Sequence, residues 1–307
     1  MSRPYRLALA LLLSAAPAAA QPPPQAPDAG EAPRSFGGLP EDRILEAIRT
    51  GRIVGRQNVG STSVNFHLRL AGEIDAAWKP RTSTHGETYR AEIAAYRLNR
   101  LLGLSRVPPA ASRSIPRSAL HLAPTSPVIA ERDLTVRGAA IYWVPVLRDS
   151  LIDRPREIER WSSWLRQGRE VPVDQRARAE EVSTLLVFDF LTGNWDRWSG
   201  ANVPMDAAGH LIYRDNNGAF EEPFVLGLMQ NGMAWLRRSQ RFSASVIARA
   251  RSLTDASIRE EMALDGDPAH PPLSEAQRRS LLRRRDALLE YVDGLIRRHG
   301  ESAVLAF

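Results

Sequence analysis

The chain runs at residues 187–197 through the segment VFDFLTGNWDR, on which the interpretation of the whole sequence depends. Apolar residues at helical spacing lead into it and predict a helix over 180–191. The helix is followed by the polar loop TGNWDR, which carries Asp196. Loops positioned by a buried element often hold reactive side chains, so Asp196 is a candidate catalytic residue.

A second carboxylate follows about twenty residues later, in the segment DNNG at 215–218. Gly209 predicts a turn, and the apolar residues after it predict a short strand over 211–214 that ends at Asp215. Asp, Asn and Gly favour the backbone angles of turns, so an ordinary turn explains the segment equally well. The acids lack the spacing of an EF-hand loop. Asp215 is a candidate metal ligand.

The first part of the chain predicts a sheet and two helices. A short helix is expected over 42–49, strands over 52–70, and a returning strand over 74–79 after a turn at 71–73. In that returning strand Trp78 falls on one face and Lys79 on the other. A further helix over 87–102 carries Glu92 in its early part and is expected to stop at Gly103.

Lys79 is the single lysine among 41 lysine and arginine residues. Codon composition alone can produce such a bias. However, an ammonium is a compact point charge and a guanidinium a planar fork, so a single retained lysine suggests a task that arginine fills poorly. Just upstream, residues 59–63 (VGSTS) are small enough to lie over a ligand, which makes Gly60 and Ser61 candidate nucleotide-binding residues. With one glycine this is a weak phosphate-loop signal.

The remaining segments predict a mixed architecture. Strand-like stretches at 127–131 and 139–146 follow the break at Pro108, and 139–146 is a candidate connector between two lobes. From residue 156 the pattern is mainly helical, and Ser274 with Gln277 predicts a capping box for a helix that ends before Gly300.

The order Lys79, Glu92, Asp196, Asp215 matches the inventory of phosphoryl transfer. A cation holds the ATP phosphates, an anion positions that cation, one carboxylate orients the acceptor hydroxyl, and another binds a divalent metal ion. Each residue alone has a simpler explanation: Lys79 as a surface residue, Glu92 as a helix-dipole partner, Asp196 as a local ion pair with Arg197. The four in this order favour a kinase.

Three segments resemble a known family, the secretory-pathway kinases of the Golgi casein kinase and four-jointed group. They are AWKP at 77–80, RAEIAAYRLNRLLGLSRVPP at 90–109, and VFDFLTGNWDR at 187–197 followed by DNNG and a phenylalanine. The resemblance extends over about residues 55–300. It implies an α+β, atypical protein-kinase-like fold with a small β-rich N-lobe and a mainly helical C-lobe.

The resemblance also implies roles and cofactors. Lys79 is similar to the lysine that contacts the ATP phosphates, Glu92 to the glutamate that positions it and helps bind the metal. Asp196 matches the catalytic aspartate, and Asp215 the aspartate that binds Mn²⁺ or Mg²⁺. Asn202, a candidate metal ligand, falls six residues after Asp196 where many kinases have five. The sequence departs further in having Trp198 where many relatives have histidine, one Asn more than Asp-Asn-Gly, and no cysteine.

The sequence predicts a signal peptide, a linker and two lobes. Residues 1–20 have the pattern of a signal peptide, with cleavage expected near Ala20 and hence export to the periplasm or outside the cell. A Pro- and Ala-rich linker is expected over 21–40, an N-lobe over 41–146 and a C-lobe over 147–307.

Zero cysteines exclude disulfides and thiolate metal sites. The net charge of +6 comes partly from arginine clusters that a solvated helix face explains, so neither a nucleic-acid partner nor a membrane span in the mature chain is expected.

The sequence therefore predicts an exported kinase that transfers the ATP γ-phosphate to a hydroxyl group, with protein serine or threonine as the first candidate acceptor. A glycan kinase and a pseudokinase that acts as a nucleotide-binding module remain alternatives, and so does a relation to HipA-type and phosphoinositide kinases, which share an Asn-x-Asp-Arg pattern. The oligomeric state stays open.

Overall fold

The computed structural model of the chain describes residues 34–60, 63–200, 202–221 and 226–307. The predicted signal peptide at 1–20, most of the predicted linker, and Ser61 lie outside the described residues. Residues 34–307 belong to one compact unit.

The first part of the described chain builds two antiparallel sheets with helices against them. The strands are β1 (Ser35–Phe36), β2 (Leu39–Pro40), β3 (Ile53–Asn58), β4 (Phe66–Leu70), β5 (Ala76–Pro80), β6 (Ala110–Pro116) and β7 (Thr135–Tyr142). β1 and β2 form a hairpin, and the other five form one sheet in the order β3-β4-β5-β7-β6. The helices of this part are α1 (Glu41–Thr50), α2 (Tyr89–Leu101) and α3 (Arg117–Leu120).

Strand β5 separates its two faces as the sequence predicts. Ala76 and Trp78 are fully buried, whereas Ala77 and Lys79 on the opposite face are half-buried. The Trp78 indole donates a hydrogen bond to the Arg113 carbonyl (3.2 Å) and fills the core with Phe66. Because side chains alternate along a strand, burying Trp78 directs Lys79 to the other side of the sheet.

The N-terminal hairpin packs on the sheet through one side chain. Phe36 is buried and meets Tyr142 edge to face, with ring centroids 5.9 Å apart. The last residues of the expected linker, 35–40, therefore form a hairpin on the sheet, because Phe36 provides apolar surface to bury. Helix α1 follows and is fastened to α2, since buried Glu41 accepts hydrogen bonds from Tyr96 (2.9 Å) and Arg100 (2.8 Å).

The second part of the described chain is helical. Its helices are α4 (Pro155–Trp164), α5 (Arg176–Thr192), α6 (Leu226–Leu236), α7 (Ala244–Ser252), α8 (Asp255–Ala263), α9 (Glu275–His299) and α10 (Glu301–Val304), with single 3₁₀ turns at Val173–Gln175 and Arg197–Ser199. Helix α5 begins with an exposed polar turn and is buried on all sides from Glu181 to Thr192, as expected of a central helix. The predicted capping box of Ser274 and Gln277 begins α9, and Gly300 follows its end.

Three details differ from the sequence prediction. β6 was not expected, because its polar composition follows a Pro-Pro break; pairing with β7 over its whole length stabilises it. The first half of the stretch at 139–146 belongs to β7 in the sheet interior, so residues 139–142 are part of a core strand, and only residues 143–146 follow the sheet. Residues 211–214 form a single bridge from Leu211 to Met205 in place of a strand, although the apolar residues there are buried as expected.

Among the described residues, none of the helices combines the length and the apolar character needed to cross a lipid bilayer.

Candidate active site

Lys79 lies between two carboxylates that come from distant parts of the chain. Its Nζ is 2.5 Å from Glu92 Oε1, which is on α2, and 2.7 Å from Asp215 Oδ1, which lies in the loop between α5 and α6. Burial alone would lower the pKa of Lys79, but the charges and hydrogen bonds of both carboxylates raise it above the ordinary value of 10.5. Lys79 therefore stays a cation at physiological pH and joins the sheet to the helical part.

Asp215 is the more accessible partner of Lys79. Its side chain is 42% exposed, compared with 3% for Glu92. Burial of its carboxyl group would raise the pKa, yet Lys79, helped by Arg214 and Arg197, holds that pKa below the ordinary range. Its backbone adopts a left-handed conformation with φ 57°, which Asp tolerates better than most residues. One carboxylate oxygen, Oδ2, accepts no hydrogen bond within the described chain.

Asn216 is a site residue that the sequence analysis did not identify. Its backbone N–H donates to Glu92 Oε1 (3.0 Å), and its side-chain amide donates to Glu92 Oε2 (3.2 Å) and to the Tyr213 carbonyl (3.2 Å). Both oxygens of Glu92 are thus held by protein groups. This geometry favours a positioning role for Glu92 over direct metal ligation, one of the two roles implied by the resemblance. The segment DNNG indicates a turn with two asparagines, but its sequence does not reveal which of the two points into the protein.

Arg197 fastens the Asp196 loop to the segment that carries Asp215. The guanidinium is fully buried, donates to both oxygens of Asp189 (3.0 and 3.2 Å), and reaches Asn216 Oδ1 at 2.7 Å. It also donates to the backbone carbonyls of Asn202 and Arg214. Burial raises the pKa of Asp189 to about 6, while the Arg197 charge acts in the opposite direction. The ion pair of Arg197 is therefore with Asp189 on α5 and not with its neighbour Asp196.

Asp196 is held by its backbone, and its carboxylate remains available. The Asp196 N–H donates to Asn194 Oδ1 (3.1 Å), and its carbonyl accepts from the Asn202 amide (2.9 Å). Within the described chain its side-chain oxygens accept no hydrogen bond. Gly218 lies against it, since a Cβ built on Gly218 would be 3.1 Å from Asp196 Cβ. The structure therefore brings the loops of Asp196 and Asp215 into contact.

The turn after β3 lies at the Lys79 end of the sheet. Asn58 pairs with Phe66, and Phe66 pairs with Trp78, so Val59 and Gly60 leave β3 at the end of the sheet that carries Lys79. Gly60 donates its N–H to Asn58 Oδ1 (3.1 Å), and a Cβ on Gly60 would clash with the Ser63 carbonyl at 1.7 Å. Glycine is therefore required by the turn itself, and a role in nucleotide binding stays a prediction.

The oxygen atoms around Asp215 are of the kind that a hard divalent cation prefers as ligands. Asp215 Oδ2, the Asp196 carboxylate and the Asn202 side-chain oxygen accept no hydrogen bonds within the described chain, and Mg²⁺ and Mn²⁺ prefer such oxygen ligands. The described residues contain no cluster of three or more His, Cys, Asp or Glu side chains able to hold a metal ion by themselves. An ion here would need phosphate oxygens as additional ligands, which is how Mg²⁺ usually binds in nucleotide sites.

Three indole rings pack together next to the Asp196 loop. Trp198 is stacked on Trp235, with ring centroids 4.4 Å apart and an interplanar angle of 10°, and it meets Trp161 at 5.7 Å with a tilt of 32°. The guanidinium of Arg238 lies over the Trp235 ring, 4.6 Å from its centroid. We call this set the tryptophan stack. It packs α4 and α6 against the 3₁₀ turn that follows Asp196.

An antiparallel sheet followed by helices, with Lys79 held between Glu92 and Asp215, defines a protein-kinase-like fold. Solved structures that share this fold include hydra Fam20 and a Golgi casein kinase, which confirms the predicted α+β, kinase-like fold. Hydra Fam20, solved with sugar, matches with a TM-score of 0.63 and 20% identity over 86% of this chain and 91% of that one. The Golgi casein kinase matches with a TM-score of 0.61 and 16% identity over 86% and 79%, and its structure with Mn/ADP bound with 0.61 and 17% over 86% and 78%.

No protein-family model matches the sequence, and no curated protein is significantly similar to it.

Proposed function

We propose that this protein is an ATP-dependent phosphotransferase that moves the γ-phosphate of ATP to a hydroxyl group. The observation that supports this most is the position of Lys79, with its Nζ 2.5 Å from Glu92 and 2.7 Å from Asp215. A cation held in this way on a sheet face, opposite the loop of Asp196, suits the phosphates of a nucleotide. The fold shared with a kinase solved with Mn/ADP supports the same proposal.

In this proposal each charged residue has a separate task. Lys79 binds the nucleotide phosphates, and Glu92, itself held by Asn216, keeps Lys79 in place. Asp196 orients the acceptor hydroxyl and accepts its proton, because its carboxylate accepts no hydrogen bond from the described residues while its backbone is fixed.

Asp215, together with the Asn202 side-chain oxygen, would hold Mn²⁺ or Mg²⁺. The ion would supply charge neutralisation of the triphosphate. Asn202 has a second task that needs no ion, because its amide nitrogen fixes the Asp196 carbonyl.

The first candidate acceptor is a protein serine or threonine, as the likeness to a Golgi casein kinase suggests. A glycan hydroxyl is the second candidate, since hydra Fam20 was solved with sugar and matches this chain over 91% of its own length. Export with cleavage near Ala20 stays a prediction, because residues 1–33 lie outside the described chain.

The test is phosphate incorporation by the purified protein. Labelled ATP is supplied with Mn²⁺ or Mg²⁺, and the acceptors are casein, a set of glycans and the protein itself. Labelling of casein supports the first candidate, and labelling of a glycan the second. Nucleotide binding without any incorporation would contradict the proposal and indicate a pseudokinase.

A further inference from the structure

A cavity of about 310 Å³ lies behind the Asp196 loop, between α5, α6 and α9. Its apolar wall includes Phe190, Met229 and Trp235, and its polar side includes Asn194 and Arg284. Trp195 also lines it and is 53% exposed, so the cavity borders on solvent. The volume is sufficient for a small organic molecule.

Arg284 contributes a buried positive charge that pairs with no carboxylate among the described residues. Its residue is 6% exposed, and its guanidinium donates to the Leu191 carbonyl (2.8 Å), the Ser280 hydroxyl (2.9 Å) and the Thr192 carbonyl (3.4 Å). Two of these acceptors are carbonyls at the C-terminus of α5, whose partial negative charge compensates part of the cation. Three of five N–H groups are used, so Arg284 retains capacity to bind an anion.

Burial lowers the pKa of Arg284 to about 10, and the neighbouring Arg283 acts in the same direction. The group is still a cation at neutral pH. The two carboxylates that line the cavity are engaged elsewhere, Asp189 with Arg197 and Glu221 with the Trp195 indole (2.9 Å).

Asn194 adds an independent sign of a missing ligand. The residue is 6% exposed, and its Oδ1 is committed to the Asp196 N–H at 3.1 Å. Its Nδ2 is buried and has no acceptor in the part of the chain that the structure describes. Rotating the amide would place Nδ2 against the Asp196 N–H, so the observed orientation is the one that the hydrogen bond requires. A buried amide without an acceptor is unfavourable, and an anionic or carbonyl oxygen would satisfy it.

We propose that the cavity binds a small organic carboxylate with an apolar body. The carboxylate would accept hydrogen bonds from Arg284 and from Asn194 Nδ2, and the apolar body would pack among Phe190, Met229 and Trp235. The site is separate from the Lys79 cluster and adjoins Asp196 through Asn194. The site would therefore select a ligand that carries one negative charge and an apolar surface.

The probe is phenylbutyrate, compared with its neutral amide, phenylbutyramide. Calorimetric titration of the full chain should show saturable one-to-one binding of the acid, with the amide about tenfold weaker because it lacks the charge. The acid should also raise the melting temperature in proportion to its occupancy.

Three variants locate the site. Arg284→Gln should weaken the acid about tenfold or more, whereas Arg283→Gln, an exposed change of the same charge on the same helix, should leave it unchanged. Gly232→Leu fills the cavity without removing a polar group, since a Cβ on Gly232 points at Phe190 from 3.4 Å. This variant should abolish binding, and it remains informative if Arg284→Gln fails to fold through loss of its bonds to α5.

Equal binding of the acid and the amide would overturn the proposal, because no anion would then be recognised. Unchanged binding by Gly232→Leu would place the probe elsewhere on the protein and would overturn it as well. Absence of saturable binding to the folded wild-type chain would have the same consequence.

Discussion

Asn216 holds both carboxylate oxygens of Glu92, although the two residues are 124 positions apart in the chain. The backbone N–H bonds Oε1 at 3.0 Å and the side-chain amide bonds Oε2 at 3.2 Å. The orientation of Glu92 therefore depends on the segment that also carries Asp215. A displacement of that segment would move Glu92 and Asp215 together, and both contact Lys79.

Asn216→Ala should be strongly destabilising. Within the described residues it leaves Glu92 Oε2 and the Tyr213 carbonyl without their hydrogen-bond donor, and it removes one of the acceptors of buried Arg197. We therefore expect a loss of about 2–4 kcal/mol in the free energy of unfolding. Asn217→Ala is the matched control. The Asn217 side-chain oxygen has no hydrogen-bond partner among the described residues, so this change should cost little. Urea denaturation of both variants measures the difference, and equal losses would contradict the assigned role.

Lys79→Arg should lose activity although it keeps the charge. The ammonium fits between two carboxylates at 2.5 and 2.7 Å, and a larger planar guanidinium cannot occupy that position. We expect phosphate incorporation to fall by about a hundredfold or more. Arg251→Lys is the matched control. It exchanges arginine for lysine in an exposed ion pair with Asp293, so activity should not change. An Lys79→Arg enzyme with wild-type activity would refute the proposed role of Lys79.

Asp196→Ala and Asp215→Ala should separate transfer from binding. Asp196 has no contact with Lys79 and acts on the acceptor in the proposed function, so its loss should spare nucleotide binding and reduce transfer by about a hundredfold or more. Asp215 contacts Lys79 and is the proposed metal ligand, so its loss should weaken metal-dependent ATP binding itself. Fluorescent-nucleotide titration combined with incorporation assays distinguishes the two. If Asp196→Ala weakened nucleotide binding and Asp215→Ala spared it, the roles proposed for the two residues would be wrong.

The Asp189 carboxyl should make stability depend on pH. Its pKa in the folded protein is about 6, above the ordinary value of 3.8, because burial outweighs the charge of Arg197. The folded state then binds this proton more tightly than the unfolded chain, so the contribution is present below pH 3.8 and is lost as the pH rises through about 6.

Asp189→Asn removes this titration and keeps an oxygen for Arg197. The free energy of unfolding of the wild type, measured relative to this variant, should therefore decrease between about pH 4 and pH 6 and level off above. A difference that stays constant across this range would show that the Arg197 charge outweighs burial.

Local patterns were sufficient to predict much of the sheet and of the site. The alternation around Trp78 predicted which face of β5 carries Lys79, and the helix with Glu92 was expected next in the chain. The resemblance implied that Glu92 positions Lys79, whereas the contact of Lys79 with Asp215 was not predicted. These features depend on residues close in sequence or on a recognisable pattern.

The missed features depend on contacts between distant segments. Arg197 was adjacent to Asp196 in sequence, and only the packing of α5 shows that it pairs with Asp189. The choice between Asn216 and Asn217 is decided by the left-handed backbone at Asp215, which turns the first Asn toward Glu92. Strand β6 exists because β7 pairs with it. None of these is encoded in a local periodicity.

The tryptophan stack provides an optical signal for the Asp196 loop. Parallel indoles 4.4 Å apart, such as Trp198 and Trp235, couple their electronic transitions, and coupled transitions give paired bands of opposite sign in circular dichroism. Trp198 directly follows Arg197, so a movement of the loop would change the coupling before the helices unfold. The protein therefore contains its own spectroscopic label, and order at Asp196 can be followed without attaching a dye.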